Sequence, residues 1–276
     1  MKVSGKEIAE SILGDLKNQI SQNSLRPGLA IILAGTDPSS EIYVNNKIKA
    51  AQEIGINANV YKFSEDEKDK CIQKLDQLNS DFSVHGIIVQ YPIFESWDFD
   101  EICQKVNLQK DVDGFLLGSP FYGATALGVW EMLKKFAEIE GFGSPEEFLK
   151  DKKIVMVGKG RAAGKPTIRL LRDKGLDPII VDSKTENPDE VIKSGDVVIS
   201  ATGKKHIVNV SNIREDAFVI GVGVGREEIE GEKKTFGDID DNEIAEKAKL
   251  YCPTIGGIGP LTVVCLLKNV VQSASK

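Results

Sequence analysis

Seven short apolar runs, each about the length of one buried strand, constrain this chain more than any other feature. The first three are PGLAIILAG (27–35), NANVYKF (57–63) and HGIIVQ (85–90). KIVMVG (153–158), DPIIVD (177–182), DVVISATG (196–203) and FVIGVGVG (218–225) form a second series. Helical segments fill the gaps of the first series, one of them carrying Tyr43 and Lys47 with a cap near Ser39 or Ser40, the other EKDKCIQKLDQLNS (67–80). Strands joined by helical crossovers run parallel, and a parallel sheet is covered by helices. The expected fold is therefore α/β in two domains, an N-terminal α/β domain and a Rossmann-like dinucleotide domain, with a ligand cleft between them. Residues 1–122 with 260–276 are assigned to the first and 140–255 to the second. Ser4 and Glu7 suggest a capping box for an opening helix with Ile8, Ile12, Leu16 and Ile20 at helical spacing. Another helix is expected around 125–139, a Gly- and charge-rich junction at 138–151, and a last helix from about Leu261 to Ser275.

Composition narrows the function classes. The chain has 276 residues, 41% hydrophobic and 28% charged, which suits a globular protein with real cores. A net charge of −7 argues against a nucleic-acid surface or a polybasic membrane anchor. Cys71, Cys103, Cys252 and Cys265 show no metal-ligand or disulfide spacing, and the only histidines are His85 and His206. Buried thiols in a reducing cytoplasm, no metal and no membrane span are the expectations. The opening segment has none of the features of a secretory signal.

VGKGRAAGKP (157–166) follows a strand and opens a helix. Gly158, Gly160 and Gly164 permit a tight turn that brings backbone N–H groups to a phosphate at the helix N-terminus. The spacing is one residue longer than the dinucleotide fingerprint, and Pro166 stands where a P-loop needs a hydroxyl, so nucleotide hydrolysis loses its motif. A purely structural turn is the alternative. Asp182, ending the next strand, favours a dinucleotide because an acid there suits a ribose hydroxyl.

EIYVNNKIKAA (41–51) raises a different question. Tyr43 and Lys47 are four apart and share a helix face. A ring covering the lysine stem at the surface would account for the pair without any function.

Five stretches decide between these readings: SSEIYVNNKIKAAQEIGI, GIIVQYP, KDVDGF, VGKGRAAGKP and GGIGPLT, in this order and widely spaced. Together they closely resemble the bifunctional methylenetetrahydrofolate dehydrogenase/methenyltetrahydrofolate cyclohydrolase family over nearly the whole chain. The resemblance makes the first domain folate-binding and implies a homodimeric enzyme of one-carbon metabolism that takes folate and NADP. In the family's Y-x-x-x-K motif Tyr43 would stack on the aminobenzoyl ring and Lys47 would face the one-carbon unit. Gln90 would orient Lys47, although an edge-strand amide is its plain alternative. Asp113 would accept two hydrogen bonds from the pterin, with Asp111 the more natural turn acid. Ser40, Gly259 and Pro260 would border the folate, Pro260 also opening the last helix. Lys159, Ser183, Thr125 and Val224 would join the glycines and Asp182 around the dinucleotide.

Three departures from the family pattern stand out. The usual P-C-T-P-x-G reads Gly123 to Gly128 as G-A-T-A-L-G, which suggests a less rigid loop. The usual G-R-S turn reads Gly158, Lys159, Gly160, and the following strand ends in Asp182-Ser183 instead of His-Ser. Lys159 could still grip a ribose phosphate, and Arg161 could help it, but Asp182 would repel one, which opens the way to NAD. A dehydrogenase lacking the hydrolase step, and a non-catalytic dinucleotide sensor, are the rivals. The sensor would have no use for Lys47 and Gln90 together.

Overall fold

The computed structural model describes residues 1–229 and 232–276, and the chain divides into two compact units, residues 10–124 with 263–276 and residues 1–9 with 125–262.

Helix α1 (Gly5–Gln22) leads into the first unit, where β1 (Gly28–Leu33) is followed by α2 (Pro38–Glu53), β2 (Asn57–Lys62), α3 (Lys68–Ser80), β3 (Gly86–Val89) and a short α4 (Phe99–Cys103). The strands form a parallel sheet in the order β2-β1-β3. Every residue of β1 is buried because both of its faces are covered. Leu29, Ile31 and Leu33 pack with Leu16 and Ile20 of α1 and Val44 and Ala51 of α2, while Ala30 and Ile32 face Cys71, Leu75 and Leu78 of α3. That alternation is the period of two of an extended strand. Each such Leu or Ile withdraws roughly 1.5–3 kcal/mol worth of apolar surface from water. The edge strand β2 instead leaves Asn57, Asn59 and Lys62 exposed.

Helix α2 begins earlier than its serines suggest. Pro38 is its first residue and Ser40 lies inside the first turn, its N–H donating to Asp37 O at 3.0 Å. The fixed φ of proline suits the first helical position, where no N–H is needed.

The second unit continues with α5 (Ala124–Ile139), α6 (Pro145–Leu149), β4 (Ile154–Val157), α7 (Gly164–Asp173), β5 (Ile179–Val181), α8 (Pro188–Lys193), β6 (Val197–Ser200), β7 (Phe218–Gly221), β8 (Val224–Ile229), β9 (Glu232–Gly237), α9 (Asp241–Ile244), β10 (Leu250–Cys252) and α10 (Ile258–Ala274). Five strands form a parallel sheet in the order β10-β7-β6-β4-β5. The chain leaves β4 for β5 on one side and returns as β6 on the other. The carboxyl ends of β4 and β6 thus flank the topological switch point, where doubly wound sheets bind ligands.

Two sequence expectations shift here. Residues 124–128 are the start of α5, not a loop; alanine in place of proline is a better helix former, and Gly128 lets α5 approach α10, since a Cβ there would stand 3.1 Å from Leu261 Cβ. Helix α10 starts at Ile258, so Pro260 is its third residue, not its opening one. The first turn of a helix has no partners for its N–H groups, which is why a proline fits there. The charged hairpin β8–β9 and the three-residue β10 were not legible as apolar runs. Segment 138–151 forms the end of α5 and α6 inside the second unit, with Ser144 Oγ accepting from Glu147 N at 3.1 Å.

Candidate active site

Lys47 sits on the buried stripe of α2. Ser40, Val44, Lys47 and Ala51 recur at helical spacing, and their exposures are 2%, 2%, 8% and 0%. A lysine in a core position needs a reason, because an ammonium withdrawn from water costs several kcal/mol (roughly) unless it is bonded. The reason begins at the end of β3. Gln90 continues that strand by donating its backbone N–H to Ile32 O at 2.9 Å. Its side-chain Nε2 donates to Tyr91 O at 2.8 Å, which turns Oε1 toward the helix, where it accepts from Lys47 Nζ at 2.9 Å. The edge-strand alternative for Gln90 therefore gives way to a defined partner. Tyr43, one turn earlier, is 44% exposed whereas Lys47 is buried, so the pair is not a ring laid over a surface lysine. The Ser40 hydroxyl is buried without a hydrogen-bond partner.

Burial lowers the Lys47 pKa below its ordinary value, and the nearby Asp113 carboxylate opposes that shift. Asp113 moves the other way: desolvation raises its pKa while Lys47 holds it down. The two groups thus share one electrostatic field and have converging proton affinities. KDVDG supplies Asp113 through a tight loop. Gly114 has φ +66°, and a Cβ there would come within 2.7 Å of Phe121 O and Gly123 N. Only glycine tolerates both conditions. Asp111 is buried and turned inward: its carboxylate accepts from Leu116 N at 2.9 Å and Phe115 N at 3.4 Å, and its backbone O accepts from Ser119 Oγ at 3.1 Å. Burial pushes its carboxyl up to about 6. The geometry makes Asp111 the turn acid and leaves Asp113 available to a ligand.

In the second unit the glycine turn has the shape of a cradle. Gly158 has φ +94°, and a Cβ on it would stand 2.6 Å from Ala201 O; one on Gly164 would stand 2.4 Å from Gly158 O. Gly160 faces open space. The backbone is therefore bare where α7 begins; Lys165 N–H is donated to Gly160 O at 2.9 Å and Pro166 has none, so it is the helix dipole and the open glycine backbone that favour an anion there. The residues present fit the pyrophosphate of a dinucleotide.

Lys159 and Asp182, read from sequence as opposing influences, are partners: Nζ and Oδ2 are 2.5 Å apart. Lys159 lowers the Asp182 pKa, helped by the Lys184 N–H, which donates to Oδ1 at 2.8 Å. Beside the pair is a groove of about 400 Å³ whose wall includes Lys159, Lys165, Arg169 and Arg172. Lys165 and Arg169 are four apart on α7, a spacing that could have revealed the basic face from sequence. Ser183 and Arg161 are exposed. Thr125 lies in the first turn of α5, where its Oγ1 accepts from Thr262 Oγ1 at 3.4 Å. Gly259 and Pro260 lie in the first turn of α10, and Val224 opens β8, 40% exposed, its O facing Gly203.

One unit thus holds a desolvated lysine–glutamine–carboxylate group and the other a dinucleotide-type phosphate cradle at a switch point. Such an arrangement suits a dinucleotide-linked enzyme with its own acid–base centre. Residues 3–113 match the sequence model "Tetrahydrofolate dehydrogenase/cyclohydrolase, catalytic domain" and residues 123–276 the corresponding "NAD(P)-binding domain". The chain belongs to the tetrahydrofolate dehydrogenase/cyclohydrolase family. It is 34% identical over 276 residues to the Bifunctional protein FolD of Caldanaerobacter subterraneus subsp. tengcongensis, covering 99% of this chain and 96% of the relative. The crystal structure of the bifunctional FolD methylenetetrahydrofolate dehydrogenase/cyclohydrolase from Campylobacter jejuni matches with a TM-score of 0.89 at 31% identity, over 100% of this chain and 98% of that one. The methylenetetrahydrofolate dehydrogenase-cyclohydrolase of Trypanosoma brucei, solved with NADP and an inhibitor, gives 0.89 at 26% identity, over 100% and 97%. Among the described residues no helix is long and apolar enough to cross a membrane, and no group of three His, Cys, Asp or Glu side chains could hold a metal.

Proposed function

We propose that the chain oxidises methylenetetrahydrofolate with a nicotinamide dinucleotide and hydrolyses the methenyl product to formyltetrahydrofolate, the folate held by residues 10–124 and the dinucleotide by the second unit. The observation that carries this reading is Lys47, buried on α2 and bonded to Gln90. The bound dinucleotide supplies the hydride acceptor. The chain's own residues do the rest. Asp113 accepts hydrogen bonds from the pterin amide and amino groups, as a carboxylate can. Tyr43 presents its exposed ring to the aminobenzoyl group, and the free Ser40 hydroxyl borders the folate. Lys47, its pKa lowered by burial, takes a proton from the water that adds to the methenyl carbon, and Gln90 keeps its Nζ aimed. The cationic methenyl group, placed beside Lys47, lowers that pKa further.

On the dinucleotide side, Gly158, Gly160 and Gly164 cradle the pyrophosphate, with Thr125 and Val224 lining the nicotinamide half. Lys159 and the basic groove support NADP, in keeping with the Trypanosoma relative's bound cofactor, while Asp182 and Ser183 in place of the family's His-Ser admit NAD. The four cysteines are free and buried, which fits a reducing cytoplasm, and the family resemblance carries the homodimer. The test is to follow methylenetetrahydrofolate oxidation with NAD and NADP side by side, and methenyl hydrolysis with no dinucleotide. Dinucleotide-dependent formation of formyltetrahydrofolate is the expected result. Accumulation of the methenyl species without hydrolysis would reduce the chain to a dehydrogenase.

A further inference from the structure

Asp238 is a carboxylate with 0% exposure, and no described cation pairs with it. Burying a charge without a counter-ion is tolerated only when hydrogen bonds replace its water. All the replacement comes from one short stretch of chain. Oδ2 accepts from Ser200 Oγ at 2.9 Å and from Thr202 N at 2.7 Å, and Oδ1 accepts from Thr202 Oγ1 at 3.1 Å. Ser200 ends β6, so the acid is fastened to the loop that leaves β6 at its carboxyl end. Because the bonds are reciprocal, the loop is fastened to the acid.

That loop touches the dinucleotide turn. The missing Cβ of Gly158 would meet Ala201 O at 2.6 Å and Thr202 Cγ2 at 2.9 Å, so turn and loop pack backbone to backbone. On its other side the loop meets the root of the β8–β9 hairpin. A Cβ on Gly223 would meet Asp238 Oδ2 at 2.3 Å and Gly203 N at 2.5 Å, and Asp238 N donates to Gly223 O at 3.0 Å. The loop is wedged at the switch point, between the turn and the acid that the hairpin brings back to it.

We propose that Asp238 is a positioning residue for the dinucleotide site: it pins residues 200–203 and, through them, holds the Gly158 turn in its phosphate-binding shape. The inference rests on the reading that this unit binds a nicotinamide dinucleotide. Asp238 touches no cofactor atom and does no chemistry in this account. What it fixes is the geometry on which affinity depends. Without it Thr202 N–H and Ser200 Oγ lose their acceptor, and the loop is free to turn outward.

The experiment measures NADP and NAD affinity by calorimetric titration, methenyl hydrolysis without dinucleotide, and amide hydrogen exchange of residues 200–203 in the ligand-free protein. In Asp238→Ala the dinucleotide Kd is expected to rise about 10- to 100-fold, the scale of a lost charge-assisted hydrogen-bond set. The dinucleotide KM should rise with it while kcat and methenyl hydrolysis hold, and exchange at Thr202 should quicken. Asp238→Asn should recover most of the affinity, because its amide oxygen can take the place of Oδ2 and accept from Thr202 N and Ser200 Oγ while its NH₂ donates to Thr202 Oγ1. Thr202→Val, a milder change that keeps the core intact, should weaken binding severalfold and serves if Asp238→Ala does not fold. Wild-type Kd in a folded Asp238→Ala, or in Thr202→Val where that variant stands in, overturns the proposal. So does an Asp238→Asn as weak as the alanine variant. A wild-type protein that binds neither dinucleotide would instead overturn the functional reading itself.

Discussion

Replacing Lys47 by methionine separates the two things a buried lysine can be, a packing element or a base. Methionine has a similar reach and fills irregular gaps, so the 8%-exposed site should accept it. Two effects on stability oppose each other. Gln90 Oε1 loses its 2.9 Å donor, a loss of about 1 kcal/mol for a half-buried acceptor that water can still reach. Against this, the protein no longer has to desolvate an ammonium, a saving of similar size. The net change should stay within about 1 kcal/mol, a melting shift of roughly 2–4 °C or less. Methenyl hydrolysis should fall by about 10²- to 10⁴-fold, the span of a lost general acid–base. Dinucleotide affinity, measured separately, should not move. Lys49→Met is the control, since Lys49 is exposed and points about 200° around the helix from Lys47. pH supplies a second readout. The folded-state pKa of Lys47 lies below 10.5, so between the two values the unfolded chain holds a proton that the folded chain has released. Wild-type stability should therefore rise with pH through that window, and the methionine variant should lack that rise. Wild-type hydrolysis in Lys47→Met, or an equally dead Lys49→Met, refutes the reasoning.

Asp113→Asn places a donor against the pterin's own donors and should weaken folate binding by roughly 1.5–3 kcal/mol, about 10- to 150-fold, by titration of the folate substrate; unchanged affinity would return Asp111 to candidacy. Asp111→Asn should leave folate affinity near wild type but flatten the acid limb of stability. With its carboxyl raised to about 6 from 3.8, the wild-type contribution is full below pH 4 and is lost as pH rises through 6, roughly 2–3 kcal/mol, which melting curves at pH 4 and pH 6.5 would detect. Asp182→Ser frees Lys159 from its 2.5 Å partner and should shift the ratio of catalytic efficiencies severalfold toward NADP; a fixed ratio would mean that the ribose lies elsewhere.

The central strands were legible because burial on both faces leaves almost no polar positions in them, as β1, β4 and β7 show and as β6 shows apart from Ser200. Strands without that constraint were legible only where an apolar run remained, as in β2 and β5; β8, β9 and β10 were not. β8 and β9 form a two-stranded sheet of their own with charge-rich sequences, and β10 is a three-residue strand. At the site, residue types were legible and their partners were not. Ser40, Val44, Lys47 and Ala51 form a core stripe, but a lysine interrupting it reads as a surface residue until the far end of β3 brings Gln90 to it. Lys159 and Asp182 carry the same lesson further. Apart in sequence, they look like a vote for phosphate and a vote against it. At 2.5 Å they are partners at the surface, so the two charges have to be read together. A ribose 2′-phosphate gains Lys159 only by drawing it away from Asp182, whereas free ribose hydroxyls can bond to Asp182 with the pair intact. On the proposed reading, cofactor choice in this chain is a competition between a phosphate and a carboxylate for one ammonium, with Lys165 in the adjoining groove a further cation and Arg169 and Arg172 each beside an acid, Asp173 and Asp177.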